Sequence, residues 1–191
     1  MGKKSKVKCF YDFEFSGLHK NTTPISLGVT SSNGLSFYAE FTDYDKSQID
    51  DWLEKNIINH LLLLNENQVY RTLGSTTFVK GTSDEVSRYF RKWLYANFEY
   101  VEFWGDCSWY DGVLLNEVLG GAFNLPDNVN YIYQDIVTLF RAFGIDPDIS
   151  REAFIDKPIE GVKHNALYDS KVIQACYDKI VRNFESYEIK L

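Results

Sequence analysis

The sequence contains one segment in which apolar residues flank two acids: VKCFYDFEF, residues 7–15. Its aromatic and β-branched residues predict a strand buried inside a sheet. Asp12 and Glu14 are two residues apart, so their carboxylates point from the same face of that strand. Burying two ionised acids side by side is costly, and a hard divalent cation relieves the cost. The pair therefore indicates a metal site, with an edge strand whose acids face water as the structural alternative.

The segments that follow predict an α/β domain. Residues 24–30 and 35–41 have strand character, and Asn33-Gly34 between them is a strong hairpin signal, so a three-stranded antiparallel meander is expected. Residues 70–79 suit a small hairpin or an ordered loop. Further on, hydrophobic periodicity predicts helices over 47–64, from 83, over 109–119, over 134–143 and from 164, and strands over 100–104 and 131–133. This order predicts a mixed sheet with helices on both faces.

Composition limits the class of protein. The 191 residues include 20 Lys and Arg against 27 Asp and Glu, a net charge of −7, and 45% are hydrophobic. We expect a single domain over residues 1–191, not a disordered chain. The 3 Cys form no CxxC pair, and neither a membrane span nor a signal peptide is evident, so we expect a cytosolic protein that uses no membrane. The charge argues against coating nucleic acid electrostatically, but an enzyme that grips one strand end stays open.

Three further acids lie near predicted element ends. Asp111 follows the 100–104 strand, with Asp106 in the loop before it, and either acid also fits a helix-dipole partner or a loop cap. His164 and Asp169 are five residues apart at the opening of the last helix, where a surface histidine or a helix cap is the alternative. Four acids that converge at one place make a poor core but suit two divalent cations. A histidine beside them can accept a proton from an attacking water.

The order of these residues resembles a known set of motifs. Asp12-x-Glu14, then Asp111 after a Gly-containing aromatic stretch, then His164-x-x-x-x-Asp169 are similar to the three exonuclease motifs of the DEDD superfamily, in its His-containing (DEDDh) branch. The resemblance runs from residue 11 to the last predicted helix. The segments YDFEF (11–15), ISLGV (25–29) and HNALYD (164–169) are most similar to compact bacterial and phage 3′–5′ exoribonucleases of the mycobacterial type.

This resemblance implies a ribonuclease-H-like fold with the acids at one end of the central strands. It implies two Mg²⁺ or Mn²⁺ ions held by Asp12, Glu14, Asp111 and Asp169, and His164 as the general base. The implied reaction removes nucleoside 5′-monophosphates from the 3′ end of single-stranded RNA.

Expected substrate contacts lie mostly next to these motifs. After Glu14 the chain reads Phe15-Ser16-Gly17-Leu18, where the superfamily pattern has Thr-Thr or Thr-Ser. We expect Ser16 to contact the terminal sugar and Leu18 to wedge against the terminal base, although Leu18 also fits ordinary core. Four aromatic residues are candidates for stacking on unpaired bases, with core packing as the alternative for each: Phe15, Trp104, Trp109 and Tyr110. Candidates for a basic strand path are Lys3, Lys4, Lys6, Arg71, Lys80, Arg88, Arg91 and Lys92.

Two other functions stay open at this point. The sequence does not separate RNA from DNA, because that choice depends on contacts to one 2′-hydroxyl, so a proofreading or repair exonuclease acting on DNA is an alternative. A non-catalytic nucleic-acid-binding module that kept the fold is a second one, although no motif acid is lost. Whether the chain forms a homodimer is also open.

Overall fold

A computed structural model describes residues 5–187 and 189 as a sheet of seven strands with helices on both faces. The strands are β1 (Ser5–Phe15), β2 (Pro24–Ser31), β3 (Ser36–Phe41), β4 (Val69–Leu73), β5 (Thr76–Gly81), β6 (Phe98–Gly105) and β7 (Gln134–Asp135). The helices are α1 (Asp51–Asn56), α2 (Ser83–Asn97), α3 (Trp109–Val118), α4 (Ile136–Ala142), α5 (Arg151–Phe154) and α6 (Ala166–Arg182). Short 3₁₀ turns cover Lys46–Gln48, Ile58–His60 and Phe184–Ser186.

The strand order is β4-β5-β3-β2-β1-β6-β7. The pairs β1–β2, β2–β3 and β4–β5 are antiparallel, whereas β1–β6, β3–β5 and β6–β7 are parallel. The predicted meander and mixed sheet are therefore confirmed, and the segment at 70–79 is a hairpin. None of the helices within the described residues is long and apolar enough to cross a bilayer.

The two faces of the sheet pack against different helices. On one face, alternate residues of β1, from Val7 to Phe13, join an apolar cluster with side chains of α2 and α3. On the other face, Phe10 packs on Tyr177 of α6, with ring centroids 5.3 Å apart. A second cluster joins α4, α5 and α6. Because side chains alternate along a strand, Asp12 and Glu14 point to the α6 face.

Gly28 lets α6 approach the sheet closely. It pairs with Asp12 across β1 and β2, and a Cβ placed there would lie 2.1 Å from the carbonyl oxygen of Ala166. No side chain fits that gap, so the first turn of α6 rests on the β2 backbone. Beside it, the hydroxyls of Thr30 and Ser170 are 2.9 Å apart and form a buried hydrogen bond. This contact fixes where the residues of the first turn of α6 lie relative to Asp12.

The long helix predicted over 47–64 was wrong. The chain there forms a 3₁₀ turn, the six-residue α1, a second 3₁₀ turn and further turns. Two acids start separate helical turns, because the side chain of Asp45 accepts a hydrogen bond from the N–H of Ser47 and that of Asp50 from the N–H of Leu53. Later in the segment the N–H of Leu63 donates to buried Glu40 at 2.7 Å instead of to the chain's own carbonyls.

Three other boundaries moved. The strand predicted over 131–133 lies at Gln134–Asp135, because β6 pairs with these two residues. Asp135 then caps α4 by accepting hydrogen bonds from Val137 and Thr138 N–H groups, so that helix begins at Ile136, not at 134. The last helix begins after Asn165, whose side chain accepts from the N–H of Tyr168, and α5 had not been predicted.

Candidate active site

Three of the predicted acids lie together on the α6 face of the sheet. Asp12 and Glu14 project from β1, and Asp169 projects from the first turn of α6. One carboxylate oxygen from each of the three lies within 4.8 Å of the other two. Divalent cations hold oxygen ligands at about 2.0–2.6 Å, so oxygens at this separation can share one cation. The arrangement fits a metal site, and Gly28 allows it because it admits the start of α6.

Asp111 joins them from the other side of β1. Pairing between β1 and β6 ends at Phe10 and Trp104, so β1 runs on past the end of its neighbour. The N–H of Phe13 then donates to Oδ1 of Asp111 at 2.9 Å. Asp111 lies in the first turn of α3 and faces the same cleft as the three other acids.

Burial raises the pKa of all four carboxyl groups, and nearby carboxylates raise it further. The pKa of Asp12 lies well above its ordinary value, first because of burial and then because of the charges of Glu14, Asp111 and Asp169. The pKa of Glu14 rises to about 8 and that of Asp169 to about 7, mainly through burial. Burial raises the pKa of Asp111 to about 6, opposed by the hydrogen bond from Phe13.

The four acids lack neutralising partners. In the part of the chain that the structure describes, the ion pairs of Lys and Arg go to other carboxylates, and none involves these four. Glu14 is buried and the other three are partly buried, and carboxylates in such surroundings that repel one another are costly unless a cation binds them. The donor set, all carboxylate oxygen, is the kind that Mg²⁺ and Mn²⁺ prefer.

His164 stands at the edge of the same cleft. Its backbone is left-handed, with φ of 63°, and it directly precedes Asn165, the residue that caps α6. The helix-cap alternative for His164 is therefore wrong. Its ring lies edge-to-face with Trp52, at 5.3 Å between centroids and 72° between planes. Burial, then the charge of Lys163, lowers the pKa of the imidazole below its ordinary value.

The cleft around these residues has a volume of about 1000 Å³. Of the predicted aromatic contacts, Phe15 and Trp109 line it, and Trp109 is 86% exposed. Tyr110 stacks on Phe15, with centroids 5.7 Å apart, behind the cleft wall. Trp104 instead packs on Tyr177 of α6 at 4.8 Å, outside the wall, so core packing is the observed role for it.

Two predicted substrate contacts lie outside the cleft wall. Ser16 is buried, and its hydroxyl lies 3.1 Å from that of Thr23 and also bonds to Gln48. It closes the turn after β1 and is not among the residues that line the cleft. Leu18 is 76% exposed, so the ordinary-core alternative for it is wrong, and it too is not among the residues that line the cleft.

The cationic residues of the cleft differ from the predicted ones. None of the predicted basic residues from Lys6 to Lys92 lines it, and Lys3 and Lys4 lie outside the described residues. The structure instead brings Arg141, Arg151 and Lys163 to its wall. Lys163 directly precedes His164, so its place next to that motif could have indicated it, whereas no motif spacing links Arg141 and Arg151 to the acids.

Arg151 and Asp106 form an ion pair that sequence reasoning missed. Nε and Nη2 of Arg151 lie 2.7 and 2.9 Å from the two carboxylate oxygens of Asp106, 45 residues away in the chain. The guanidinium also donates to the carbonyls of Pro147 and Ile149 and lies over the ring of Phe140. The pair anchors the loop before α5 as one wall of the cleft, and it neutralises Asp106.

A family model, the 3′–5′ exoribonuclease Rv2179c-like domain, matches residues 7–181. The chain belongs to this family. It is therefore an enzyme of the 3′–5′ exonuclease class, and its resemblance to the DEDD superfamily is confirmed. A search of curated proteins found no match to the chain.

Solved structures similar to this Rv2179c-like domain are 3′-exonucleases and related nuclease units. A 3′-exonuclease studied for its 3′-end-specific recognition of the histone mRNA stem-loop shares 12% identity, with a TM-score of 0.65 over 98% of this chain and 87% of that one. Exonuclease I bound to the inhibitor BCBP shares 13%, with a TM-score of 0.56 over 96% and 43%. The Neurospora crassa Pan2 catalytic unit, with protease and nuclease domains, shares 15%, with a TM-score of 0.55 over 97% and 29%. These likenesses show a ribonuclease-H-like fold.

Proposed function

We propose that this Rv2179c-like domain is a metal-dependent exoribonuclease that hydrolyses single-stranded RNA from its 3′ end to nucleoside 5′-monophosphates. The observation that carries the proposal is the trio Asp12, Glu14 and Asp169, whose oxygens lie within 4.8 Å of one another at the bottom of an open cleft. The family match supports RNA as the substrate. It spans residues 7–181, which supports a single exonuclease domain over the chain. A cytosolic location and the oligomeric state stay predictions.

The four acids would hold two Mg²⁺ or Mn²⁺ ions. Asp12 lies among the other three, as the charges that raise its pKa show, and is the natural ligand to share. Bound divalent cations would stabilise the attacking and leaving oxygens of an in-line displacement at phosphorus. The hydrogen bond from Phe13 to Asp111 fixes one carboxylate oxygen and leaves the other free to face the cleft.

His164 would accept the proton of the attacking water. His164 is among the residues that line the cleft containing the acids, and its lowered pKa keeps the ring neutral near pH 7, which is the form able to accept a proton. Lys163 beside it contributes to this lowering and forms an ion pair with Glu152 at 3.6 Å. In this proposal the histidine accepts the proton, and the acids hold the cations that stabilise the developing negative charge.

The exposed aromatic and cationic residues of the cleft would hold the strand. Trp109 offers a free indole face, and Phe15 is held in place by its stack on Tyr110. Bases of any sequence stack on such rings. Arg141 and Lys163 line the same cleft, and their positive charges suit phosphate groups. These charges would also offset the repulsion between the acids of the cleft and the negatively charged strand.

Digestion of a 5′-labelled RNA 20-mer tests this function. With Mg²⁺ or Mn²⁺ we expect a ladder that shortens from the 3′ end and releases nucleoside 5′-monophosphates, and with EDTA we expect none. A DNA oligomer of matched sequence runs in parallel. Faster cleavage of the DNA would favour the proofreading or repair alternative. Absence of cleavage, together with no Mn²⁺ binding by calorimetry, would favour a non-catalytic binding module.

The role of His164 is tested with His164→Ala. A positioned general base contributes about 10²–10⁴-fold, so kcat should fall by that factor while the Kd of a short RNA changes little. His19→Ala is the matched control, because His19 is exposed and does not line the cleft. If kcat stays unchanged while the melting temperature falls, His164 is a structural residue and another group accepts the proton.

A further inference from the structure

Hydrogen bonds do not account for the placement of the His164 imidazole. Among residues 5–187 and 189 the ring has no hydrogen-bonding partner, although its backbone is held in the left-handed region at φ 63°. An imidazole at such a loop position is free to rotate about χ1 and χ2 unless another side chain restricts it. The aromatic contact of this ring in the structure is the edge-to-face packing against Trp52, at 5.3 Å.

Trp52 comes from a different part of the chain. It lies on α1, whose start is fixed by the Asp50 cap and whose Leu53 is buried under the sheet. Trp52 itself is 53% exposed. Leu53, not Trp52, is the buried residue of α1. The contact of Trp52 with His164 gives a reason for a tryptophan here.

A second contact joins the same two segments. Nδ2 of Asn165 donates to the carbonyl of His60 at 3.0 Å, and His60 is the last residue of the 3₁₀ turn that follows α1. The residue after His164 is therefore tied to the segment that carries Trp52. Together the two contacts set both the backbone and the ring of the His164 loop against α1.

We propose that Trp52 is a positioning residue that holds the His164 imidazole towards the acids. This inference rests on the proposed function, in which His164 accepts a proton. Trp52 does not line the cleft, so it acts through the histidine and does not touch the strand. Displacing a reacting group by about 1 Å can cost about 10²-fold in rate, so the loss of the indole should lower kcat by ~10–10²-fold.

A double-mutant cycle tests the proposal. The variants are Trp52→Ala, His164→Ala and the double variant, with Trp52→Phe as the conservative change and Phe123→Ala as a control, since Phe123 is fully exposed and outside the cleft wall. Single-turnover cleavage of RNA, KM and melting temperature are measured for each. We expect Trp52→Ala to lower kcat with KM unchanged, and Trp52→Phe to restore most of it. In the His164→Ala background, removing Trp52 should have no further effect.

The other outcomes overturn the inference. A raised KM, or an effect of Trp52→Ala that persists without His164, would mean that the indole contacts the RNA directly. A lowered melting temperature with kcat per folded molecule unchanged would mean that Trp52 only stabilises α1. If His164→Ala itself leaves kcat unchanged, His164 is not the general base, and the proposed role of Trp52 is wrong with it. If His164→Ala lowers kcat and Trp52→Ala does not, only the role of Trp52 is wrong.

Discussion

Neighbouring residues of β1 face two different environments. Tyr11 and Phe13 enter an apolar cluster with α2 and α3, whereas Asp12 and Glu14 line the open cleft on the α6 face. The first pair is almost fully buried among hydrocarbon, and the second pair has raised pKa values because burial and like charges disfavour ionisation. One strand therefore presents core side chains on one face and the proposed metal ligands on the other.

This difference implies that the two pairs of side chains contribute to folding with opposite sign, the apolar pair stabilising and the acidic pair destabilising. Apolar burial stabilises the fold in proportion to the area removed from water. Carboxylates held close together without a cation destabilise it, and the fold tolerates them because the other face offsets the cost. Substitutions on the two faces should accordingly separate activity from stability.

The largest effect is expected on the face of β1 that carries Asp12 and Glu14, called here the acid face, from Asp12→Asn. The amide keeps the shape of the side chain but removes a negative charge that a divalent cation requires. We expect turnover on RNA to fall by at least ~10²-fold. The melting temperature of the metal-free protein should stay the same or rise slightly, because carboxylate repulsion is relieved. The measurement is the initial rate of RNA cleavage with Mg²⁺. A variant that keeps more than about a tenth of the wild-type rate would contradict the two-metal assignment.

On the opposite face of β1, which carries Tyr11 and Phe13, Phe13→Ala should mainly lower the free energy of unfolding. Phe13 is 3% exposed and packs near Tyr11 and Phe41, so truncating it leaves a cavity. Large-to-small core changes of this type cost about 3–5 kcal/mol. Urea denaturation of this variant beside Asp12→Asn compares the two faces directly. Equal losses of stability in both variants would show that Asp12 is a structural residue like its neighbour.

The acid face should also make the metal-free protein sensitive to pH. Folded pKa values of about 8 for Glu14, 7 for Asp169 and 6 for Asp111 exceed the values of about 4 in the unfolded chain. The folded state then binds more protons than the unfolded state between those limits, so the free energy of unfolding falls as pH rises from about 4 to about 8. Denaturation in EDTA at several pH values measures the slope.

Divalent metal supplies the control for this slope. Mn²⁺ binds the ionised carboxylates of the folded state, which adds about 2.7 kcal/mol at a hundredfold excess over Kd. The gain should grow as pH rises, because fewer protons compete, and the pH slope should flatten or reverse. If the melting temperature at pH 8 is the same in EDTA and in millimolar Mn²⁺, the result would count against a clustered acid site.

Much of this architecture was accessible from sequence, because its signals are local. The alternation in β1, the Asn33-Gly34 turn and the buried stripe of α6 are encoded within each segment, and all three were predicted. The convergence of Asp12, Glu14 and Asp169 came from the order of motifs, and the structure places their oxygens together. Periodicity and spacing were sufficient for these features.

Other features could not be predicted because they depend on distant partners. Residues 47–64 have a helical pattern, but Asp50 starts a new helical turn and Glu40, from β3, takes the N–H of Leu63. The ion pair of Arg151 with Asp106 likewise joins residues 45 apart with no common motif. The bonds of Glu40 to Leu63 and of Arg151 to Asp106 are tertiary, and a single segment does not reveal such a partner; the Asp50 cap is local, but hydrophobic periodicity does not register it.

The smallest effect is expected at Gly28, where the acid face meets α6. In Gly28→Ala, the new Cβ would lie 2.1 Å from the backbone carbonyl of Ala166, so the first turn of α6 must move away from β2. Overpacking of this kind costs about 1–3 kcal/mol. Because Asp169 lies in that turn and His164 just before it, kcat per folded molecule should fall as well.

Gly34→Ala is the control that separates the effect of backbone strain from the effect of displacing α6. Gly34 has a φ of +88°, so alanine there is strained, but nothing lies within 4 Å of its added Cβ, and the turn is remote from the cleft. Both variants should therefore lose stability in urea, and only Gly28→Ala should lose kcat and Mn²⁺ affinity. If Gly28→Ala unfolds more easily but keeps both, then α6 tolerates the shift. The position of Asp169 would then depend on its own helix turn and not on the close contact with β2.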